Sequence, residues 1–193
     1  MQPLNEQINE SEIKETKPQK KRKHPVREFL ESIVIAVVLA IFIIVFVVQG
    51  FYIPSGSMRL TLIEGDRILV SKFIYRFHEP INGDVIVFRF PPDPKRTFIK
   101  RIIAHENQTV EVRENILYVD GENISEPYRN SLEQIDFGPV KVPVDSFFVM
   151  GDNRNESDDS RYWGFVPEKN IVGKAFIIYF PLNRINVLDD FHD

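Results

Sequence analysis

The chain has 193 residues, 43% of them hydrophobic, and a formal net charge of −4. That length suits one compact domain with appendages, and the charge gives no reason to expect nucleic acid as a partner. The absence of cysteine excludes disulfides, thiolate metal sites and a cysteine nucleophile.

From the N-terminus, residues 1–26 are polar and unpatterned, and Lys14, Lys17, Lys20, Lys21, Arg22 and Lys23 make them basic. They read as a disordered cytoplasmic tail. The uncharged run Ile33–Val48 follows, and Phe29 and Leu30 before it with Phe51 to Ile53 after it extend it to about the 20 residues a bilayer needs. Residues 27–50 are therefore expected to form a single transmembrane helix. A cleaved secretory signal is the competing interpretation, but the core exceeds the usual h-region of about 7–15 residues and no Ala-x-Ala site follows it. Basic residues before the helix put the N-terminus inside and residues 51–193 outside the plasma membrane, against the lipid bilayer.

Beyond the anchor, short β-branched and aromatic runs dominate. Strands are predicted over residues 67–73, 84–90, 97–103, 109–112, 116–119, 144–150 and 173–179. An Asp120-Gly121 turn closes one hairpin, and prolines mark the connections at 91–94 and 139–143. The expected fold is mainly β, an irregular sheet or barrel, with a smaller β-ribbon subdomain over about 104–143.

Three segments carry reactive groups. Pro54-Ser55-Gly56-Ser57-Met58 holds two hydroxyls on a stiff turn just past the anchor. A serine nucleophile needs a base and oxyanion donors. His24, His78, His105 and His192 are the four histidines, and each falls in a tail or polar loop. Lys100, inside an apolar strand, is the other candidate. Burial among aromatic and β-branched neighbours, with Arg101 adjacent, would lower its affinity for a proton. The third segment is Gly151-Asp152-Asn153-Arg154, continuing through Ser157, Asp158, Asp159, Ser160 and Arg161. It does not match a calcium loop, because Arg154 stands where a ligand belongs and the required glycine is missing. A hydrogen-bonded shell that orients a catalytic group fits it better.

Taken together, the anchor, Pro54–Met58, Gly83-Asp84-Val85-Ile86-Val87-Phe88, Lys100-Arg101, Gly151–Arg161 and Tyr162-Trp163-Gly164-Phe165-Val166-Pro167 resemble the type I signal peptidases. The likeness is to the small Gram-positive members of these bacterial Ser/Lys enzymes. It implies a catalytic domain of coiled antiparallel sheets that cleaves N-terminal signal peptides, delivered by the secretion machinery, after small residues of the Ala-x-Ala type. No metal or other cofactor is implied. By the resemblance Ser57 is the nucleophile and Lys100 the general base, while the Ser57 N–H and the Ser55 hydroxyl form the oxyanion hole. Ser157 would bond and orient Lys100, with Asp159 and Arg161 fixing Ser157. Asp152 and Arg101 would form a structural ion pair. Phe51, Ile53, Met58, Leu62, Val87, Phe98 and Ile99 match the apolar walls of a shallow substrate pocket.

Two departures stand out. Leu60 replaces a proline, which should loosen the loop behind Ser57. Ala104-His105-Glu106-Asn107-Gln108 replaces a glycine-rich turn, in which Asn107 can supply the left-handed residue. The alternatives are a Ser/His signal peptidase, a soluble self-cleaving Ser/Lys repressor, a silent anchored module that binds exported chains, and a surface scaffold.

Overall fold

A computed structural model describes residues 25–129 and 136–188, without the side chains of 44–46. Residues 1–24 of the basic tail, with His24, and His192 lie outside the described residues, while Pro25 and Val26 of that tail are helical. By its internal contacts the chain divides into residues 1–39 and 40–193.

The first element, α1 (Pro25–Phe46), is 22 residues long. Pro25 stands at its first position, where a missing N–H costs nothing. Arg27 and Glu31 pair one turn apart at 2.8 Å. Its apolar side chains from Val26 to Ile43 are exposed on all sides. Arg27, Glu28 and Glu31 break its apolar character at the start. Among the described residues no helix is long and apolar enough to cross a membrane.

Residues 40–193 are dominated by β structure. The strands are β1 (Val48–Tyr52), β2 (Arg67–Ser71), β3 (Val85–Arg89), β4 (Thr97–Ala104), β5 (Thr109–Arg113), β6 (Ile116–Val119), β7 (Glu122–Asn123) and β8 (Phe137–Lys141). They continue with β9 (Ser146–Met150), β10 (Val166–Pro167), β11 (Ile171–Phe180) and β12 (Asn186–Val187), with a four-residue helix, α2 (Ser160–Trp163), after β9. The larger sheet runs β1-β2-β11-β3-β4-β9-β10, with β12 on β11, and the smaller runs β7-β6-β5-β8. Every pairing is antiparallel.

The central strand β3 is buried on both faces. Val85 and Val87 join Ile53, Met58, Leu62, Ile68 and Val70 in one cluster, while Ile86 and Phe88 join Ile102, Phe147 and Val149 in another. The two-residue alternation of a strand sorts these side chains to opposite faces. A third cluster unites the small sheet, through Val110, Leu117 and Val119, with Ile103, Phe148 and Met150 of the large one.

Three features differ from the sequence reading. The apolar run does not continue as helix to Val48: β1 starts there and pairs with β2, because its backbone meets a partner strand at Ser71. The proline-rich stretch taken as a connection contains β8, whose Val140 pairs with Val110 at a sheet edge, where Pro139 needs no ladder N–H. Leu60 adopts φ +88. Proline's ring fixes φ near −65° and would not fit this conformation. The loop is also not slack, since Thr61 and Leu62 both donate to the Met58 carbonyl, at 3.1 and 2.8 Å. Asn107, at φ +67, and the Asp120-Gly121 turn, at φ +52 and +86, adopt the left-handed geometry expected of them.

Candidate active site

Ser57 sits in a single 3-10 turn, Gly56–Met58, entered through Ser55 in an extended conformation (φ −137, ψ 157). Met58 is fully buried and pins the turn to the core. Lys100 lies in β4, where Phe98, Lys100 and Ile102 share one face. Its ammonium lies 5.5 Å from the Phe98 ring centroid, and that ring stacks on Phe90 at 4.4 Å.

Lys100 is only 4% exposed, and its Nζ reaches Ser57 Oγ at 2.8 Å and the Ile99 carbonyl at 3.0 Å. Burial pushes its pKa from 10.5 to about 8, against the more distant charges of Asp159, Asp158 and Asp152, which raise it. Desolvation of the ammonium is therefore the cause. The contribution expected from Arg101 does not operate, because that guanidinium has its own counter-charge. Arg101 Nε and Nη2 donate to the two oxygens of Asp152 at 2.9 and 2.7 Å, and Nη1 donates to the Gly83 carbonyl at 2.7 Å. Both partners of this pair are fully buried.

The loop after β9 holds the serine turn by its backbone. Asn153 N donates to the Ser57 carbonyl at 3.1 Å, and Asn153 Nδ2 donates to the Gly56 carbonyl at 3.0 Å. Gly151 is the point of closest approach. A Cβ placed on it would lie 2.4 Å from the Ser57 carbonyl oxygen and 2.3 Å from Ser157 Oγ. No residue but glycine fits there.

Behind this contact, Asp159 gathers four donors. Ser157 Oγ donates to it at 2.7 Å, Gly151 N at 3.0 Å, and Arg161 through Nε and Nη2 at 2.8 and 3.0 Å. Asp159 also caps α2 through Arg161 N. The hydroxyl of Ser157 donates to Asp159 as expected, while among the described residues the bonds of Lys100 go to Ser57 and Ile99, not to Ser157. Its carboxylate neighbour is the stronger acceptor for a hydroxyl proton.

The structure thus brings Ser57, Lys100, Ser157, Asp159 and Arg161 into one buried cluster, with Arg101 and Asp152 beside it. Ser55 is exposed at its rim. Of the expected pocket residues, Ile53, Met58, Leu62 and Val87 are core, at most 2% exposed, because β1, β2, β3 and β11 close over them. Phe51, Phe98 and Ile99 remain partly open. His78 and His105 are exposed loop residues. Sequence reasoning did not assign Gly151 or Asn153 a role, although both stand within the box it singled out. It also missed Glu126, for which no local pattern exists. Among the described residues no group of three metal-ligating side chains converges.

This geometry sets a serine hydroxyl against a buried lysine amine whose pKa is lowered, an arrangement open to nucleophilic chemistry. The family model for signal peptidase, peptidase S26, matches residues 26–180. Relatives include a probable signal peptidase I-1 of Synechocystis, 44% identical over 86% of this chain and 88% of that protein. A signal peptidase I of Leptolyngbya laminosa is 42% identical over 88% and 87%. Signal peptidase I T of Bacillus subtilis is 35% identical over 91% and 97%. The chain belongs to the signal peptidase family, peptidase S26, and is by that membership an endopeptidase acting on signal peptides.

Proposed function

We infer that the chain cleaves signal peptides from exported preproteins with Ser57 as nucleophile and Lys100 as general base. The observation that carries this reading is the 2.8 Å contact between Lys100 Nζ and Ser57 Oγ at a buried site. In its neutral form the amine accepts the Ser57 proton as Oγ attacks the scissile carbonyl carbon. The tetrahedral oxyanion is held by the Ser57 N–H and the Ser55 hydroxyl. The Lys100 ammonium then returns the proton to the leaving amine. Water, deprotonated by the same lysine, hydrolyses the acyl-serine ester. Asp159 and Arg161 lock Ser157 against Gly151, which keeps the serine turn in place, while the Arg101–Asp152 pair fixes the strand and loop on either side.

The sheet offers the substrate a place to lie. Among the described residues, β4 pairs over 97–100 only with β3, and β9 joins it from Arg101 onward. The free edge leads directly to Lys100, so an extended peptide added there delivers its scissile bond to Ser57. Phe51, Phe98 and Ile99 line the approach and favour small apolar side chains.

The bilayer is the second partner in this proposal. The helical stretch from Ser32 to Phe46 spans about 22 Å, short of a hydrocarbon core of about 30 Å. The Arg27–Glu31 pair lowers the cost of placing the first turns at the lower interface, and local thinning absorbs the remainder. On the domain, Tyr52, Arg67 and Phe180 lie side by side across β1, β2 and β11, and Arg67 covers the Phe180 ring at 5.2 Å. Tyr52, Phe180 and the nearby Leu182 are exposed by 61%, 45% and 76%. Such aromatic and cationic residues suit a headgroup region. The assignment is a single-pass protein with the basic tail cytoplasmic, the helix Pro25–Phe46 as the anchor and the β domain from Val48 onward extracytoplasmic, with 104–143 as a smaller ribbon.

The deciding assay uses the full chain in liposomes with a preprotein bearing an Ala-x-Ala site. Ser57→Ala and Lys100→Ala are each expected to lower cleavage by at least about 10³-fold while both remain folded. Wild-type rates in Lys100→Ala would remove the dyad. Protease accessibility of tags at either end of the chain tests the topology.

A further inference from the structure

The segment that leaves the small sheet after β7, residues 124–129, matches none of the sequence boxes, yet it packs beneath the catalytic loops at two independent points. The first is Glu126, whose side chain is 6% exposed. One carboxylate oxygen accepts Arg154 Nη1 at 3.0 Å, and the other accepts Nη2. Arg129 Nη1 and Tyr128 OH add weaker bonds at 3.4 and 3.3 Å. Arg154, itself 2% exposed, turns its Nε to the Gly151 carbonyl at 3.1 Å, and its own carbonyl accepts Arg161 Nη2 at 2.8 Å. Gly151 is the residue on which the Ser57 carbonyl and Ser157 converge. The second point is Tyr128, 7% exposed, whose ring lies 4.0 Å from the Arg101 guanidinium carbon. That stacking completes the enclosure of the Arg101–Asp152 pair.

We propose that Glu126 and Tyr128 are positioning residues for catalysis: through Arg154 and Arg101 they hold the Gly151–Asn153 backbone against the Ser57 turn and keep water from Lys100. The proposal rests on the Ser57–Lys100 assignment. Neither residue touches the reacting atoms. Each acts on a cation that fixes backbone, Arg154 at Gly151 and Arg101 at Gly83. Without Glu126 the buried Arg154 loses its bidentate partner and turns toward solvent, releasing the Gly151 carbonyl. The turn then separates from the loop and Lys100 hydrates.

The charges around Lys100 set the sign of the effect. Burial outweighs the charges of Asp159, Asp158 and Asp152, which favour its ammonium. Admitting water therefore moves the lysine back toward its ordinary value.

The test measures kcat, KM and the pH profile of preprotein cleavage by the full chain in liposomes, with thermal melts run in parallel. Glu126→Gln and Tyr128→Leu are expected to lower kcat by about 10- to 100-fold with KM changed less than about threefold. The acid limb of the profile should move alkaline by about half to one pH unit. Tyr128→Phe keeps the ring over Arg101 and should restore both the rate and the limb. If Glu126→Gln fails to fold, the Tyr128→Leu and Tyr128→Phe pair carries the test by itself. A lower melting temperature with an unmoved limb and wild-type kcat would reduce both residues to structural packing and overturn the proposal. Lys100→Ala is run alongside. Its retention of activity would instead break the dyad assignment, so the two failures are distinguishable.

Discussion

Lys100 and Arg101 are consecutive residues of β4, both cationic and both buried, and the protein treats them in opposite ways. Arg101 is given a bidentate carboxylate, a carbonyl and an aromatic ring. Lys100 is given a serine hydroxyl and a carbonyl. A buried cation with a matched anion keeps its proton and ties two segments together, whereas one facing neutral dipoles is driven to release it. Strand alternation makes the contrast possible, because it sends adjacent side chains into separate environments. Residue chemistry adds to it: guanidinium stays charged in proteins, while an amine titrates when desolvated.

The most severe way to break the contrast is to make the two positions alike. Lys100→Arg preserves charge and bulk but removes the titration, so cleavage should fall by at least about 10³-fold, measured as kcat/KM on a preprotein in liposomes. Activity within tenfold of wild type would contradict the base assignment.

Next in size is removal of the counter-charge. Asp152→Asn leaves Arg101 buried with a neutral partner and should destabilise the fold by about 3–5 kcal/mol, read from denaturant unfolding. A loss under about 1 kcal/mol would mean that the pair is not desolvated in solution.

The lysine should leave its own mark on stability. Its folded pKa, about 8, lies below the ordinary 10.5, so between those values the unfolded chain binds more protons than the native one. Native stability from this group therefore rises with pH through about 8 to 10.5, by on the order of 3 kcal/mol, and the penalty of burying the ammonium is complete below pH 8. Lys100→Met should abolish that slope and be the more stable protein at pH 7. An identical slope in both proteins would refute the shift.

The smallest effect sharpens the comparison. Asp158 is exposed and raises the Lys100 pKa from a distance. Asp158→Asn should move the acid limb of cleavage to lower pH by a few tenths of a unit at low ionic strength, and added salt should erase the difference. A shift in the alkaline direction would reverse the assigned charge effect.

Much of this was legible in the chain because the signals were local. Strands such as β5 and β6 announce themselves by alternation, and Asp120-Gly121 and Asn107 by turn chemistry. The serine turn, Lys100 and the Gly151–Arg161 box were legible as a set of residue types in a known order. Tertiary context hid the rest. β8 crosses a Gly-Pro step that local rules read as a break, and β1 is a strand only because β2 is there to receive it. Leu60 was read as a missing proline, and nothing in the residues around it foretells φ +88. Of the two partners expected of Ser157, Asp159 accepts its proton, and the fold alone decides which of the two the hydroxyl faces. Glu126 had no signal, since its partner Arg154 lies 28 residues away.

Gly151 has one more implication. The serine turn is held at its carbonyls, by Asn153 and by contact with a residue that has no side chain, and the hydroxyl of Ser57 adds only its bond to Lys100. Ser57→Ala should therefore be a capture reagent as well as a dead enzyme. With the turn, the free edge of β4 and the dry lysine intact, it retains uncut preproteins long enough for crosslinking to identify the exported chains on which this protein acts.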